Sequence, residues 1–368
     1  MSKRILFLVN HDVVIYNFRL EIVERFINDG HEVHISSPYG ERIDDLINLG
    51  AVFHEIKMER HGMNPFEELK ILKHYKRLIK EVNPDICLGF TIKPNIYGAI
   101  AARKFKVPFV ANITGLGTAV ENPGMSQKIM VRLYKYAFKD IQRVFYQNEE
   151  NRQFFIDRGI EKGKGQRLPG SGVNLTRYPY REYPKDGIIK FAFISRIMKE
   201  KGIDYYLDAA NAIRKKYGNK VEFNVCGFCE PEYDGRLQEE DKKGIVKYHG
   251  MIRDVTSFMG QMHCIIHPTY YPEGISNVLL EASATGRPII TTDRSGCREV
   301  VDDSVTGYMI PCQSSGGLID AIDKFLKLSW DDKKAMGIAA RHKVEREFDR
   351  QIVVEKYVEE VKRACINT

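Results

Sequence analysis

The sequence predicts an α/β protein of two domains, each a parallel sheet covered on both faces by helices, and three observations predict it. Short apolar runs rich in β-branched and aromatic residues alternate along the chain with longer amphipathic stretches. Those short runs are apolar at consecutive positions, as strands buried on both faces must be. A length of 368 residues suffices for two domains of ordinary size, each with its own core.

The elements follow in order. In the first half the strand segments are "RILFLVN", "HEVHISS", "VFHEI", "PDICLGF", "VPFVANI" and "RVFYQN". In the second half they are "IIKFAFIS", "VEFNVC", "VKYHG", "CIIHP", "PIITT" and "GYMIP". Twelve strands are many for one open sheet, so two six-stranded sheets are expected. The join belongs in "PGSGVNLTRYPYREYPKDG", residues 169–187, where Gly, Pro and Tyr crowd together. The last stretch is an amphipathic helix with Val353, Val354, Tyr357, Val358 and Val361 at helical spacing. Two such Rossmann-like domains facing each other across a cleft would place ligands at the carboxyl ends of their strands.

Composition narrows the class. With 43% hydrophobic and 29% charged residues the chain is that of a globular protein. The apolar run after "MSKR" is short for a signal peptide and suits an opening strand, so a cytoplasmic protein is expected. No stretch approaches the length of a membrane span. Seven scattered cysteines do not form a disulfide framework. Cys226 and Cys229 make a lone C-x-x-C after a strand, with no second pair to complete a zinc site. In "HCIIHP", His263 and His267 share one strand face and Cys264 takes the other, which is poor metal geometry.

Charge is uneven. Residues 1–180 hold 27 Lys and Arg against 20 Asp and Glu, and that excess accounts for the whole net charge of +7. Within 61–180 the ratio is 20 to 10, concentrated in "LKILKHYKRLIKEV" and "GMSQKIMVRLYKYAFKD". In the second of these, Met130, Leu133, Tyr134 and Ala137 share one helical face, and Lys128, Arg132, Lys135 and Lys139 another. The first domain should therefore meet an acidic partner. No nucleic-acid-binding module accompanies the charge, which leaves an anionic membrane surface.

Two nucleotide-binding signatures are missing: no G-x-G-x-x-G follows the first strand, and no Walker loop occurs. A different phosphate site is present. "EGISNVLLEASATGRP", residues 273–288, reads as the start of a helix carrying Glu273 and, eight residues on, Glu281. The N–H groups of Ser276 and Asn277 at the positive end of that helix offer an anion site. Arg196 and Lys201 in "SRIMKEKGID" add the bidentate and point charges that suit a diphosphate.

These residues carry a resemblance. "SRIMKEKGID", "YHGMIRDV", "EGISNVLLEASATGRPIITTD" and "GCREVVDDSVTGYMIP" resemble the nucleotide-sugar domain of retaining glycosyltransferases with the GT-B fold, in particular the large family numbered four. "PGSGVNLTRY" is similar to that family's interdomain segment. "YNFRLEIVERFINDGHEV", "RHGMNPFEELK", "TIKPNIYGAIAARK", "NITGLGTAVEN" and "NEENRQFF" look like bacterial enzymes of capsule, O-antigen and glycoprotein-glycan assembly. Those enzymes extend polyprenyl-diphosphate-linked acceptors. The resemblance implies an acceptor domain over 1–175, completed by 350–368 through a C-terminal helix that crosses back, and a donor domain over 176–349.

It also implies roles. Glu273 would accept hydrogen bonds from the donor sugar, with Gly274 and Ile275 letting the ring lie against backbone. Ser276, Asn277 and Val278 would offer N–H groups to the diphosphate, and Glu281 would hold the ribose hydroxyls. Arg196 and Lys201 would neutralise the leaving diphosphate, so no metal and no cofactor are expected. The loop from His249 to Asp254, Met251 included, would contact the nucleobase. On the acceptor side the resemblance points to His11, Asp12, Lys93 and Thr114. The chain departs from the pattern at Thr114–Gly117, where many members carry a histidine, and at Asn174, where an Asp is usual. No side-chain base can therefore be carried over.

The expected donor is UDP-Gal, UDP-GalNAc or UDP-GlcNAc. A soluble acceptor, a sugar-nucleotide epimerase of the same architecture, and a silent nucleotide-sugar-binding subunit are the alternatives. The intact set Glu273, Arg196, Lys201 and Glu281 argues against the last. The expected location is the inner face of the cell membrane, held peripherally.

Overall fold

A computed structural model describes residues 2–58, 64–116, 124–185 and 187–366. Residues 60–63 and 117–122, which belong to two of the first-domain motifs, lie outside the described residues, as does Gly117. The chain divides into two compact units, one reaching Ser171 and resuming at Arg350, the other spanning Gly172–Asp349.

The first unit is built on a parallel sheet of seven strands: β1 (Arg4–Leu8), β2 (Glu32–Ser37), β3 (Val52–Glu55), β4 (Ile86–Phe90), β5 (Phe109–Ile113), β6 (Arg143–Tyr146) and β7 (Gly165–Arg167). Their order is β3-β2-β1-β4-β5-β6-β7. Along β1 the side chains alternate between two cores. Leu6 and Leu8 face one with Ile71, Tyr75 and Ala102, whereas Ile5 and Phe7 face the other with Ile22, Phe26 and Val353. A helix layer on each side therefore follows from a strand that is apolar throughout.

β7 corrects the expectation of six strands. Its sequence, Gly-Gln-Arg, has no apolar residue, and it is partly exposed at the sheet edge. Nothing in its composition marks it. It is a strand because the backbone of Val144–Tyr146 pairs with it.

The C-terminal helix, Arg350–Ile366, closes the first unit. Val353, Val354, Tyr357, Val358 and Val361 are buried in the core with Phe7 and Phe90. The Asn112 side-chain amide donates to the Tyr357 hydroxyl at 2.6 Å. Arg350 Nη1 reaches both carboxylate oxygens of Glu21 at 2.9 Å. Helical spacing of five apolar residues predicts such a helix, and these polar contacts hold it in place.

The second unit has a six-stranded parallel sheet: β8 (Ile189–Ile194), β9 (Val221–Cys226), β10 (Lys247–Tyr248), β11 (Cys264–His267), β12 (Ile289–Thr292) and β13 (Gly307–Ile310). The order is β10-β9-β8-β11-β12-β13. Strand order reverses between β8 and β11, so the loops leaving those two strands diverge to opposite sides of the sheet and open a crevice at its carboxyl edge. Among the described helices several use a polar N-cap: Asn64, Asn148, Asp254, Ser314 and Ser329 each accept a first-turn N–H with the side chain.

Candidate functional site at the carboxyl edge of the second sheet

Two loops meet where the strand order reverses. The loop after β8 ends in a 3₁₀ turn, Lys199–Lys201, and turns through Gly202 into the Ile203–Tyr217 helix. Gly202 has φ +82°, and a Cβ there would lie 2.1 Å from the Pro268 carbonyl oxygen. Only glycine lets this turn press against the end of β11. The contact is sealed by Glu200, whose carbonyl accepts from the N–H groups of Tyr270 and Tyr271 at 2.9 and 3.0 Å.

That packing delivers Lys201 to Glu273. Their side chains form an ion pair, and both are largely buried. His267, the last residue of β11, brings Nε2 to 3.4 Å from the same Glu273 oxygen and 3.2 Å from Ser276 Oγ. Burial opposes the charge on Glu273, but the Lys201 ammonium and the His267 hydrogen bond outweigh it, holding the carboxyl down at about 2. Burial lowers the His267 value, so its ring is neutral. Glu273 is thus a largely buried carboxylate, ionised at neutral pH, with a cation on one side.

The loop after β12 supports this arrangement from below. Gly296, φ +91°, accepts the Ser276 N–H at 2.9 Å, and a Cβ on it would lie 2.6 Å from the Gly274 carbonyl oxygen. Two corrections to the sequence reading follow. The helix spans Asn277–Ala284, so Glu273, Gly274 and Ile275 lie in the loop before it, and Glu281 sits in its second turn. Ser276 also has no N–H to offer, because Gly296 takes it. The open donors are the N–H groups of Asn277 and Val278, which have no partner among the described residues.

The remaining donor-side residues occupy the same sheet edge. Arg196 follows β8, half exposed, with its guanidinium 3.8 Å from Glu230 rather than against Glu273. Its neighbours are fixed by backbone: Ile197 donates to Phe228 at 2.7 Å, and Gly227 donates to Gly250 at 2.9 Å. This places the Arg196 loop beside the loop that carries Met251, which is exposed. Glu281 is partly buried on the helix.

The acceptor-side residues lie in the first unit. Asp12 is buried and structural: one carboxylate oxygen accepts the Arg42 N–H at 2.8 Å, and the other lies 2.6 Å from His11 Nδ1. Gly40 leaves room for it, since a Cβ there would lie 2.4 Å away. Asp12 is therefore withdrawn from the acceptor side, and His11 keeps only Nε2 for other work. Lys93 is paired with Glu68 at 2.8 Å, and Thr114 follows β5. Sequence reasoning missed a residue of the same unit. Thr91 follows β4 at φ +70°, where a β-branched residue is strained, and its buried Oγ1 has no partner among the described residues.

His267 was missed in a more instructive way. Alternation paired it correctly with His263 on one strand face, and both are buried. His263 accepts the Lys190 N–H at Nδ1 and donates from Nε2 to the Lys185 carbonyl, so it is spent on local backbone and has no part in the site. His267 differs only in ending the strand, within reach of the loop that carries Glu273. That position at a strand's carboxyl end is the signal that would have found it.

Comparison with known proteins agrees with this architecture. Residues 4–148 match a family model described as "Glycosyl transferase 4-like", and residues 189–327 match one described as "Glycosyl transferases group 1". The N,N'-diacetylbacillosaminyl-diphospho-undecaprenol alpha-1,3-N-acetylgalactosaminyltransferase of Campylobacter jejuni is 25% identical over 382 aligned residues, covering 99% of this chain and all of that one. The capsular polysaccharide glycosyltransferase CapM of Staphylococcus aureus is 24% identical, with 88% of each chain covered. Among solved structures, a glycosyltransferase from Rickettsia africae superposes over the full length of both chains with TM-score 0.84 at 20% identity. Anabaena HepE in complex with UDP gives TM-score 0.80 at 16% identity over 99% of this chain and all of that one. With one glycosyltransferase model matched by each unit and this two-sheet fold shared, the chain belongs to the GT-B glycosyltransferases of the group 1 and 4-like family.

Proposed function

We propose that this protein transfers a sugar, with retention of configuration, from a UDP sugar to a polyprenyl-diphosphate-linked saccharide. The observation that carries the proposal is the Lys201–Glu273 ion pair beside the open Asn277 and Val278 N–H groups. As the glycosidic bond breaks, negative charge grows on the diphosphate and positive charge on the sugar. A helix N-terminus and the Lys201 and Arg196 cations meet the first, and the Glu273 carboxylate meets the second. Those side chains supply the charge stabilisation that a divalent cation would otherwise give, so metal independence belongs to the proposal. With Asp12 committed to structure, a leaving-phosphate oxygen takes the acceptor proton. The names of the Campylobacter and Staphylococcus relatives support a cell-surface glycan and a lipid-linked acceptor.

An anionic membrane surface is the second part of the reading. The helix Met125–Ala137 buries Met130, Tyr134 and Ala137 and exposes Lys128, Arg132 and Lys135, as its sequence predicts. The helix Pro65–Val82 likewise exposes Lys70, Lys73, Arg77 and Lys80. Both also expose large apolar residues, Phe66 and Leu69 on one and Met125, Ile129 and Tyr136 on the other. Cations flanking exposed apolar side chains suit a bilayer surface. None of the described helices is long and apolar enough to cross a membrane.

The test is UDP release from UDP-Gal, UDP-GalNAc and UDP-GlcNAc with and without a polyprenyl-diphosphate-linked saccharide, and NMR of the product's anomeric centre. Release that requires the lipid-linked saccharide, persists in EDTA and gives the donor's own anomer is expected. Sugar interconversion without an acceptor would instead identify an epimerase, and an inverted anomer would remove the role given to Glu273.

A further inference from the structure

The helix Asn277–Ala284 begins at a serine that does not cap it. Ser276 has the extended backbone of an N-cap residue, φ −72° and ψ 109°, yet its side chain accepts no N–H from the first turn. Ser314 and Ser329, in the same unit, both cap their helices. The Ser276 hydroxyl is turned instead to His267 Nε2, 3.2 Å away.

The protonation of that nitrogen follows from its surroundings. Nε2 also lies 3.4 Å from a Glu273 oxygen, and an ionised carboxylate can only accept. The proton is therefore on Nε2, shared between Glu273 Oε1 and Ser276 Oγ, and the serine oxygen is the acceptor. A lone pair occupied in this way is not available to the first-turn N–H groups. His267 is buried, and its carbonyl accepts from the Thr291 hydroxyl at 2.8 Å, so the ring's strand is held in place.

We propose that His267 is a positioning residue for the donor site: by drawing the Ser276 hydroxyl away from the helix and steadying Glu273 with the same N–H, it keeps the Asn277 and Val278 N–H groups open for the donor's diphosphate. Without it, Ser276 would cap its own helix, as Ser314 does, and compete with the phosphate for the same donors. The inference rests on the donor-site reading above and adds to it the device that prevents self-capping.

UDP binding to the purified full-length chain, measured by titration calorimetry, tests it. Gln places an amide N–H near the Nε2 position, whereas Asn places one near Nδ1, out of reach of Ser276. Both are neutral amides, so their effects on folding are comparable. His267→Gln should bind UDP within about twofold of the unmodified protein, and His267→Asn about tenfold more weakly, the weight of one hydrogen bond to a charged group. Adding Ser276→Ala to His267→Asn removes the competing cap and should recover most of the lost affinity. Turnover should stay low in the double variant, because the His267 N–H that steadies Glu273 is still missing. A structural role for His267 predicts the opposite, with the second substitution adding to the damage. Equal UDP affinity for the Gln and Asn variants, or no recovery in the double variant, would overturn the inference and leave the donor site standing. Failure of the unmodified protein to bind UDP would remove the donor-site reading itself.

Discussion

Lys201 and Glu273 lie 72 residues apart in sequence and pair at the carboxyl edge of the second sheet, with only 13% and 14% of their side chains exposed. The pair joins the loop after β8 to the loop after β11. Its energetics follow from burial: each charge is tolerated because the other is present.

Removing one partner should therefore be worse than removing both. Lys201→Met leaves the Glu273 carboxylate buried without its cation and should cost about 3–5 kcal/mol of stability. Combining it with Glu273→Gln should restore much of that loss, and urea denaturation of the three variants measures the cycle. A double variant that loses the sum of the two single losses would mean that the pair is not coupled.

Glu273 also sets an acid limit. Its carboxyl is held at about 2 in the folded protein against an ordinary 4.5. A carboxyl depressed on folding contributes stability that is complete above its unfolded value and disappears as pH falls through the folded one. Stability should thus decline between about pH 4.5 and 2, and Glu273→Gln should flatten that part of the profile while leaving neutral pH little changed in slope. Thermal unfolding of both proteins across that range is the measurement.

The two acids should separate kinetically. If Glu281 holds the ribose as proposed, Glu281→Ala should weaken UDP binding by about 1.5–3 kcal/mol. Glu273→Gln should reduce turnover far more than affinity, because its charge counts most as the sugar becomes cationic. Unchanged turnover for Glu273→Gln would remove it from the chemistry.

Gly296→Ala should disable the site without unfolding the unit. Its Cβ would press within 2.6 Å of the Gly274 carbonyl, and its φ of +91° is strained for alanine. The loop carrying Glu273 must then shift, and a 1 Å displacement there can cost about 100-fold in rate. Far-UV circular dichroism should be unchanged while transfer from the UDP sugar falls.

Binding to vesicles should need both charge and apolar contact. Co-sedimentation with anionic vesicles should weaken steeply with salt, since each basic side chain adds about 1 kcal/mol that ions screen. Replacing the exposed Phe66 and Met125 by Ser should reduce binding at low salt too. Equal binding to neutral and anionic vesicles would point the charge elsewhere.

How much of this was legible depends on the kind of signal. The central strands, such as β4, β5, β8 and β11, announce themselves because both faces are buried and almost every position is apolar. β7 does not, because pairing alone makes it a strand. The basic excess of the first half is legible as composition, and the amphipathic face of 125–137 as periodicity. At the site, residue types were readable and neighbours were not. Glu273, Lys201 and Glu281 stand out in their motifs, but nothing local says that Gly296 takes the Ser276 N–H, or that Glu273 precedes the helix it was expected to begin.

The sequence by itself determined the two α/β units, the parallel sheets, the basic first half and the types of the acids and cations that meet at the carboxyl edge of the second sheet. Hydrophobic periodicity and charge are local properties, and local properties survive in one dimension. Only the tertiary structure decided which of those groups remain available. It committed Asp12 to the Arg42 loop and Ser276 to Gly296 and His267, and it brought His267 from an apolar strand to the Glu273 carboxylate. Hydrogen-bond partners and burial are set by chain segments far apart in sequence, where a reversal of strand order brings two loops together.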